Sequence, residues 1–124
     1  MRILFIIGAG SFIGGIFRYL MSQVIQNRFL STFPYGTLCV NILGCLLIGI
    51  VFGMNEKGNV GMEWRLFLAT GILGGFTTFS AFSNESIAML RNGQLWAAFT
   101  YISISVFAGL CATFSGISLT KLFL

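Results

Sequence analysis

Four apolar runs of the chain are each long enough to cross a lipid bilayer as a helix, and short polar segments separate them. Crossing a hydrocarbon core of about 30 Å takes roughly 20 helical residues. A soluble domain of this size cannot hide a composition that is 56% hydrophobic and only 8% charged. The pattern therefore predicts an all-α integral membrane protein, one transmembrane domain over residues 1–124 with four spanning helices. The runs extend roughly over Ile3 to Val24, Pro34 to Met54, Leu66 to Leu90 and Leu95 to Leu119.

The charges that flank these runs favour neither orientation in the membrane. With four crossings both termini lie on one side, and Lys and Arg are normally in excess on the cytoplasmic side. The terminal side carries four basic residues and the opposite side three: Arg2, Lys57, Arg65 and Lys121 against Arg18, Arg28 and Arg91. Two interpretations stay open. Either the chain inserts in both orientations and pairs with an inverted copy of itself, or a small bias or the later helices select one orientation.

The residue inventory argues against several functional classes. The chain has no His and no Asp, which removes the usual parts of hydrolase triads and zinc sites. Its three cysteines (Cys39, Cys45 and Cys111) match no metal-binding spacing and are interpreted as small buried hydrophobic residues. The net charge of +4 fits contact with anionic lipid headgroups and gives no indication of nucleic acid. An enzyme is therefore not expected.

Small residues repeat at a spacing of four in three of the predicted helices. The pairs are Gly10 with Gly14, Gly49 with Gly53, and Gly71 with Gly75. Residues four apart share one helix face, and small side chains there let two helix backbones approach closely within lipid. Four helices also enclose little interior, so we expect an oligomer as well.

The third run contains the poorest helix sequence of the chain. Gly74-Gly75 is followed by the β-branched pair Thr77-Thr78, and glycine and threonine both disfavour helix interiors. A helix broken near its middle leaves free amides and carbonyls at membrane depth, which is tolerated only where the backbone is buried in protein or lines a cavity. Freed carbonyls can coordinate a small cation, and a half-helix N-terminus attracts anions. We therefore expect this patch to handle a solute.

Polar residues at membrane depth are costly and mark candidate functional positions. Asn41 lies near the middle of the second run with Thr37 one turn away, and Tyr101 and Ser105 repeat that spacing in the fourth. An interhelical hydrogen bond with no other role is the alternative interpretation for Asn41. Serine in a membrane helix also often bonds a carbonyl of its own helix, which is the alternative for Ser105.

Two phenylalanines follow the expected break and share one helix face. Phe79 and Phe82 are three residues apart, interleaved with Ser80 and Ser83. A phenyl ring has a positive edge, so a ring turned edge-on can approach an anion without offering it a permanent charge. Ordinary packing or lipid contact is the alternative role for such rings.

The chain resembles the small fluoride channels called Fluc or CrcB over nearly its whole length. The resemblance is carried by Gly14-Gly15-Ile16-Phe17-Arg18-Tyr19, by Pro34-Tyr35-Gly36-Thr37 and by Val40-Asn41-Ile42-Leu43-Gly44. It is most specific in Gly74-Gly75-Phe76-Thr77-Thr78-Phe79-Ser80-Ala81-Phe82-Ser83-Asn84-Glu85. Phe76 departs from the smaller aliphatic residue usual in that motif, where only the backbone is needed.

The resemblance implies a dual-topology homodimer of antiparallel protomers in the bacterial inner membrane, with two narrow pores that pass fluoride out of the cell. It implies that Asn41 is a pore-lining donor and that Phe79 and Phe82 present ring edges to fluoride. Backbone carbonyls matching Gly74 and Thr77 would hold a structural sodium ion that is not transported. Arg18 would lie in the vestibule, and polar-track positions would be Thr37, Ser80, Tyr101 and Ser105.

Two other functional classes stay open at this stage. A proton-coupled exporter of the small multidrug resistance type has a similar size but needs a carboxylate in its first helix, where this chain has none. The only acidic residue inside a predicted run is Glu85, for which a purely structural hydrogen bond is an equal alternative. A purely structural subunit would tolerate Asn41→Ala.

Overall fold

The structure, a computed structural model that describes residues 1–123, is built from helices joined by short connections. Four of its helical segments are long and apolar enough to cross a membrane, as predicted. Each begins earlier or ends later than its hydropathy run, because backbone hydrogen bonding continues into the polar segments at the membrane surface. The first two are α1 and α2; all four segments are Arg2–Arg28, Tyr35–Glu56, Met62–Arg91 and Leu95–Phe123.

The third segment is broken in its middle, which confirms the prediction, but the break lies later than the glycines. It consists of α3, a π-helix, α4 and α5, which extend over Met62–Arg65, Leu66–Leu73, Gly74–Phe76 and Phe79–Arg91. The glycine pair Gly74-Gly75 stays helical, and the extended residues are Thr77 (ψ 157°) and Thr78 (ψ 120°). The β-branched pair therefore makes the break, because the Thr78 hydroxyl offers the next helix an N-cap. The fourth segment is α6 (Leu95–Phe123).

The break transfers the third segment from one helix neighbour to another. Residues 66–76 of its first half pack along α1, whereas α5 packs mainly on α6. The most extensive packing in the protomer joins α2 to α6. The unpaired backbone at the break therefore lies beside α2, which both halves of the third segment contact.

The glycine pairs allow close packing within the protomer, as predicted. A Cβ atom on Gly14 would collide with the Ile72 carbonyl oxygen, and one on Gly49 would collide with that of Thr113. Gly44 is equally restricted, because a Cβ there would meet the Thr77 methyl group. These glycines bring α1 against the first half of the third segment, α2 against α6, and α2 against the break.

The cysteine prediction is wrong for two of the three residues. Cys39 and Cys111 are exposed on the surface of the protomer, and only Cys45 is partly buried. A thiol behaves as a small hydrophobic group. In hydrocarbon it gains nothing from burial, so a lipid-facing helix surface accommodates it as well as the interior does.

Two helices, α2 and α5, end in a tight turn that contains a glycine with left-handed backbone conformation. Gly58 (φ 75°) follows α2 and Gly93 (φ 78°) follows α5. The next amide along bonds back to the helix, from Asn59 to the Met54 carbonyl at 3.0 Å and from Gln94 to the Met89 carbonyl at 2.8 Å. These Schellman motifs reverse the chain within a few residues and keep consecutive segments antiparallel.

Contacts at the two ends of the bundle agree with an even number of crossings. At one end Arg2 forms an ion pair with Glu63 (3.1 Å), and Lys57 Nζ donates to the Lys121 carbonyl (3.4 Å). At the other end Gln94 donates to Thr32 Oγ1 at 3.1 Å. Both ends of the described chain therefore lie on the same side as the connection between α2 and α3.

Candidate functional site

An open cavity of about 350 Å³ lies where the break meets α2, α5 and α6. It is lined by six of the residues to which the resemblance assigns a pore or sodium-binding role: Asn41, Gly74, Thr77, Phe79, Phe82 and Ser105. No charged side chain is among the described residues that line it. The break in the third segment therefore does line a cavity, as hydrocarbon requires of irregular backbone.

Asn41 is paired with the backbone at the break. Its Nδ2 donates to the Thr78 carbonyl at 3.0 Å, and its Oδ1 accepts from the Thr78 amide at 2.8 Å. The Asn41 side chain thus satisfies the backbone amide and carbonyl of Thr78, which have no helical partners because Thr78 is extended. One Nδ2 hydrogen remains unused by this pair. The interhelical bond considered as an alternative for Asn41 therefore exists, and the same side chain also lines the cavity.

Two backbone carbonyls at the break lose their helical donors. In an α-helix the carbonyl of Gly74 would accept from the Thr78 amide, and that of Thr77 from the Ala81 amide. The Thr78 amide donates instead to Asn41 Oδ1, and the Ala81 amide donates to Thr78 Oγ1 at 3.1 Å. Within residues 1–123, neither carbonyl accepts a hydrogen bond from the amide four residues ahead. Both residues line the cavity.

The two threonine hydroxyls at the break have different partners. Thr77 Oγ1 donates back to the Leu73 carbonyl at 3.0 Å, which also accepts from the Thr77 amide. Thr78 Oγ1 caps α5 through the Ala81 amide and lies 3.2 Å from Ser80 Oγ. Ser80 itself is exposed and lines neither the main cavity nor the smaller one described below.

An aromatic row extends from the cavity into the protein. The Phe79 ring is 79% exposed and its centroid lies 5.5 Å from that of Phe82. Phe82 in turn lies 5.3 Å from the Tyr101 ring, which is fully buried. The Phe82–Tyr101 planes meet at 49°, a tilted arrangement that brings ring edges as well as faces into contact.

Two buried hydroxyl groups beside this row have no hydrogen-bond partner among the described residues. They are Tyr101 Oη and Ser105 Oγ. The back-bond to its own helix that was the alternative for Ser105 is therefore not formed. Buried polar atoms nearly always have a hydrogen-bond partner, and these two, which lie one helical turn apart, have none within the described residues.

Thr37 and Arg18 lie outside the main cavity. Both line a smaller cavity of about 160 Å³. Thr37 Oγ1 donates to Glu85 Oε1 at 2.7 Å, which gives this membrane-depth carboxylate a partner. Thr78 is the one residue that lines both cavities, so it forms part of the wall between them.

Sequence reasoning missed one residue that organises the break and one that holds the connection between α1 and α2. Thr78 was noted only as a helix breaker, although a threonine three residues before the amide that it caps is a recognisable N-cap signal. Gln26 gave no signal, because its role depends on the fold. Its Nε2 donates to the Ser31 and Phe33 carbonyls, and its Oε1 accepts from the Gly36 amide at 3.0 Å.

Comparison with known proteins covers almost the entire chain. The model of the family described as "CrcB-like protein, Camphor Resistance (CrcB)" matches residues 5–117. A protein of Flavobacterium psychrophilum named "Fluoride-specific ion channel FluC" is 50% identical over 122 residues, which are 98% of each chain. Proteins of the same name are 40% identical in Phocaeicola vulgatus (98% of this chain and 100% of the relative) and 42% identical in Rhizobium meliloti (98% of each). These matches include every residue of both cavities.

Proposed function

This chain belongs to the CrcB family of fluoride-specific ion channels, and from that membership we propose that it exports fluoride from the cytoplasm as a selective, passive channel. Its four apolar helical segments make it a multi-pass membrane protein. Ion channels are not enzymes, so the expectation that the chain is no enzyme is confirmed. The relatives are bacterial proteins, and we place this one in the bacterial inner membrane.

One observation carries the mechanism: an uncharged cavity at membrane depth whose wall offers hydrogen-bond donors. Fluoride is small and strongly hydrated, so its path must replace lost water with donors. The spare Nδ2 hydrogen of Asn41 and the unpaired hydroxyl of Ser105 can do so, whereas Tyr101 lies behind the cavity wall, against Phe82. The ring edges of Phe79 and Phe82 add weak positive potential without a fixed charge. The ion is thus held weakly enough to leave again.

A positive vestibule complements the uncharged cavity. Arg18 lines the smaller cavity, on the far side of Thr78. A cation there raises the local concentration of anions without touching them at the narrowest part of the path. Hydrogen fluoride crosses membranes as a neutral molecule and dissociates inside, so the membrane potential alone suffices to expel the trapped anion.

The functional unit is a homodimer of antiparallel protomers with two pores. The main cavity is open on the side of the protomer that carries Gly74 and Phe79, and both of these residues are exposed. A second copy would close that side and narrow the cavity to a pore. The near balance of basic residues between the two ends supports insertion in both orientations. The inverted copy and surrounding lipid are the partners.

A reporter fused to the C-terminus tests this topology. We expect it to be labelled from both sides of the membrane, in comparable amounts. The variant Asn59→Lys adds a positive charge to the connection between α2 and α3 and should shift the population toward molecules whose termini are cytoplasmic. Labelling from one side alone in the unaltered chain would refute dual topology.

A sodium ion at the break is the second part of the dimer proposal. The carbonyl oxygens of Gly74 and Thr77 fit such an ion, because their helical donors are bonded elsewhere and both residues line the cavity. Unwound carbonyls in broken membrane helices are suitable ligands for a small cation. Bound there, sodium would supply a permanent positive charge that ties the two protomers together and is not transported.

Exchanging sodium for potassium during purification is expected to weaken the dimer. A ligand present at a hundred times its Kd stabilises the state that binds it by about 2.7 kcal/mol. Removing sodium would lower the stability of the dimer by that amount. Size-exclusion chromatography with light scattering measures the dimer fraction, and adding sodium back should restore it. A dimer that is equally stable without sodium would argue against a cation at these carbonyls.

Anion efflux from liposomes that carry the purified protein tests the proposed function directly. Fluoride and chloride release are compared under a potassium-clamped membrane potential, with protein-free liposomes as the control. We expect rapid fluoride loss without chloride loss and without any proton gradient. Flux that requires an opposing proton gradient would instead place the protein among coupled exporters and give Glu85 the central role. Absence of flux in both conditions would favour a structural subunit.

A further inference from the structure

Thr78 separates the two cavities and anchors the helix that carries the aromatic pair. It is the one residue that lines both the main cavity and the smaller cavity containing Arg18. Its backbone is held by Asn41 of α2 through two hydrogen bonds, at 2.8 and 3.0 Å. Its hydroxyl oxygen accepts from the Ala81 amide, the first-turn donor of α5. One residue thus connects α2, the break and α5.

The hydrogen bond from the Ala81 amide to the Thr78 hydroxyl fixes the first turn of α5, which carries both phenylalanine rings. Phe79 is the first residue of α5 and Phe82 lies one turn later, so both rings belong to the turn that Thr78 caps. The first amides of a helix have no intrahelical partner, and at membrane depth lipid cannot supply one. Without the cap, the Ala81 amide would lose its acceptor, and the first turn of α5 would be free to unwind or shift.

Resting on the proposed function, we propose that Thr78 is a positioning residue for fluoride permeation. Its hydroxyl holds the first turn of α5 so that the Phe79 and Phe82 rings, which line the main cavity, face the path on that side of Thr78. Its hydroxyl oxygen accepts from the Ala81 amide and lies 3.2 Å from Ser80 Oγ, and the role proposed for it is to act through the rings that this capped turn carries.

The substitution Thr78→Val separates the hydroxyl from the shape of the side chain. Valine keeps the volume of threonine and the backbone bonds to Asn41 but removes the acceptor for Ala81. By the usual effect of losing a helix N-cap, we expect roughly a fivefold loss of fluoride flux per folded dimer and a lower ratio of fluoride to chloride flux. Thr78→Ser retains the hydroxyl and should restore both quantities.

The matched control is Thr120→Val, which removes a buried threonine hydroxyl of α6 that bonds the Ile117 carbonyl of its own helix. It should leave fluoride flux and selectivity near those of the unaltered protein. Amide hydrogen exchange supplies a second measurement: Thr78→Val should speed exchange in the first turn of α5, whereas Thr78→Ser and Thr120→Val should not.

The outcomes distinguish this inference from the function on which it rests. Absence of fluoride flux in the unaltered protein overturns the proposed function. Normal flux there, combined with unchanged flux and selectivity in Thr78→Val, overturns the positioning role alone. Equal loss in Thr78→Val and Thr78→Ser would also overturn it, because the hydroxyl would then not be what matters. Faster exchange confined to Thr78→Val, together with its loss of selectivity, supports it.

Discussion

Phe82→Ile is expected to abolish fluoride flux while leaving the proposed dimer intact. Isoleucine fills much of the same space but has no ring edge to present to an anion. A loss of more than about tenfold corresponds to a barrier raised by at least about 1.4 kcal/mol. The measurement is fluoride efflux from liposomes, normalised to the amount of dimer that elutes intact.

The location of Phe82 makes this substitution informative about permeation. The side chain is only partly buried, packs against the buried cluster that includes Leu38, Met89 and Tyr101, and contacts the Tyr101 ring. Exchanging one hydrophobic side chain for another in such a place usually costs less than about 1.5 kcal/mol, so folding should survive. A matched control is Phe99→Ile in α6, whose ring is 64% exposed and lies outside the main cavity. Normal fluoride flux in Phe82→Ile would refute the aromatic role.

Asn41→Asp is expected to destabilise the protein and abolish its flux. The carboxylate keeps an acceptor for the Thr78 amide but has no hydrogen to donate to the Thr78 carbonyl, which lies 3.0 Å from the present Nδ2. Two oxygens would then face each other at membrane depth. A charged side chain at the centre of a membrane helix costs about 2.5–3.5 kcal/mol, and an unsatisfied buried carbonyl adds about 1–3 kcal/mol.

Thermal unfolding in detergent measures this effect, and Asn59→Asp provides the control. Asn59 lies exposed in the turn after α2, so the same change of charge there should shift the unfolding temperature little. Asn41→Ala should fall between the two, because it removes the pair without adding a charge. If Asn41→Asp were as stable and as conductive as the unaltered protein, the Asn41–Thr78 pair would be unimportant.

Much of the architecture could be predicted because the physics behind it is local. Hydropathy over about 20 consecutive residues defines a membrane span without reference to any other segment. The Gly-Gly and Thr-Thr pairs lower helix propensity within six residues of each other, so a break near the middle of the third segment was expected. The exact position of the break could not be predicted from propensity. Gly74 and Gly75 remain helical, and the two threonines that follow supply the extended residues and the N-cap of α5.

The site could be predicted as a set of residue types but not as a set of contacts. Asn41, Phe79, Phe82, Ser105, Gly74 and Thr77 do meet in one cavity. Thr37 does not join them, because its hydroxyl is bonded to Glu85. Arg18 lies in the neighbouring cavity with Thr37, and Ser80 lines neither. No property of the separate segments indicates which polar groups pair, since a hydroxyl or amide fits several partners equally well.

The amino-acid sequence by itself determined that this protein lies in a membrane, crosses it four times and breaks its third helix, because apolar length and helix propensity act within one segment. The tertiary structure alone decided that Asn41 pairs with Thr78, 37 residues away, and Thr37 with Glu85, 48 residues away. It also decided that the break moves the third segment from α1 to α6. In lipid, an exposed backbone amide or carbonyl must find its partner within the protein, and packing geometry selects which side chain supplies it.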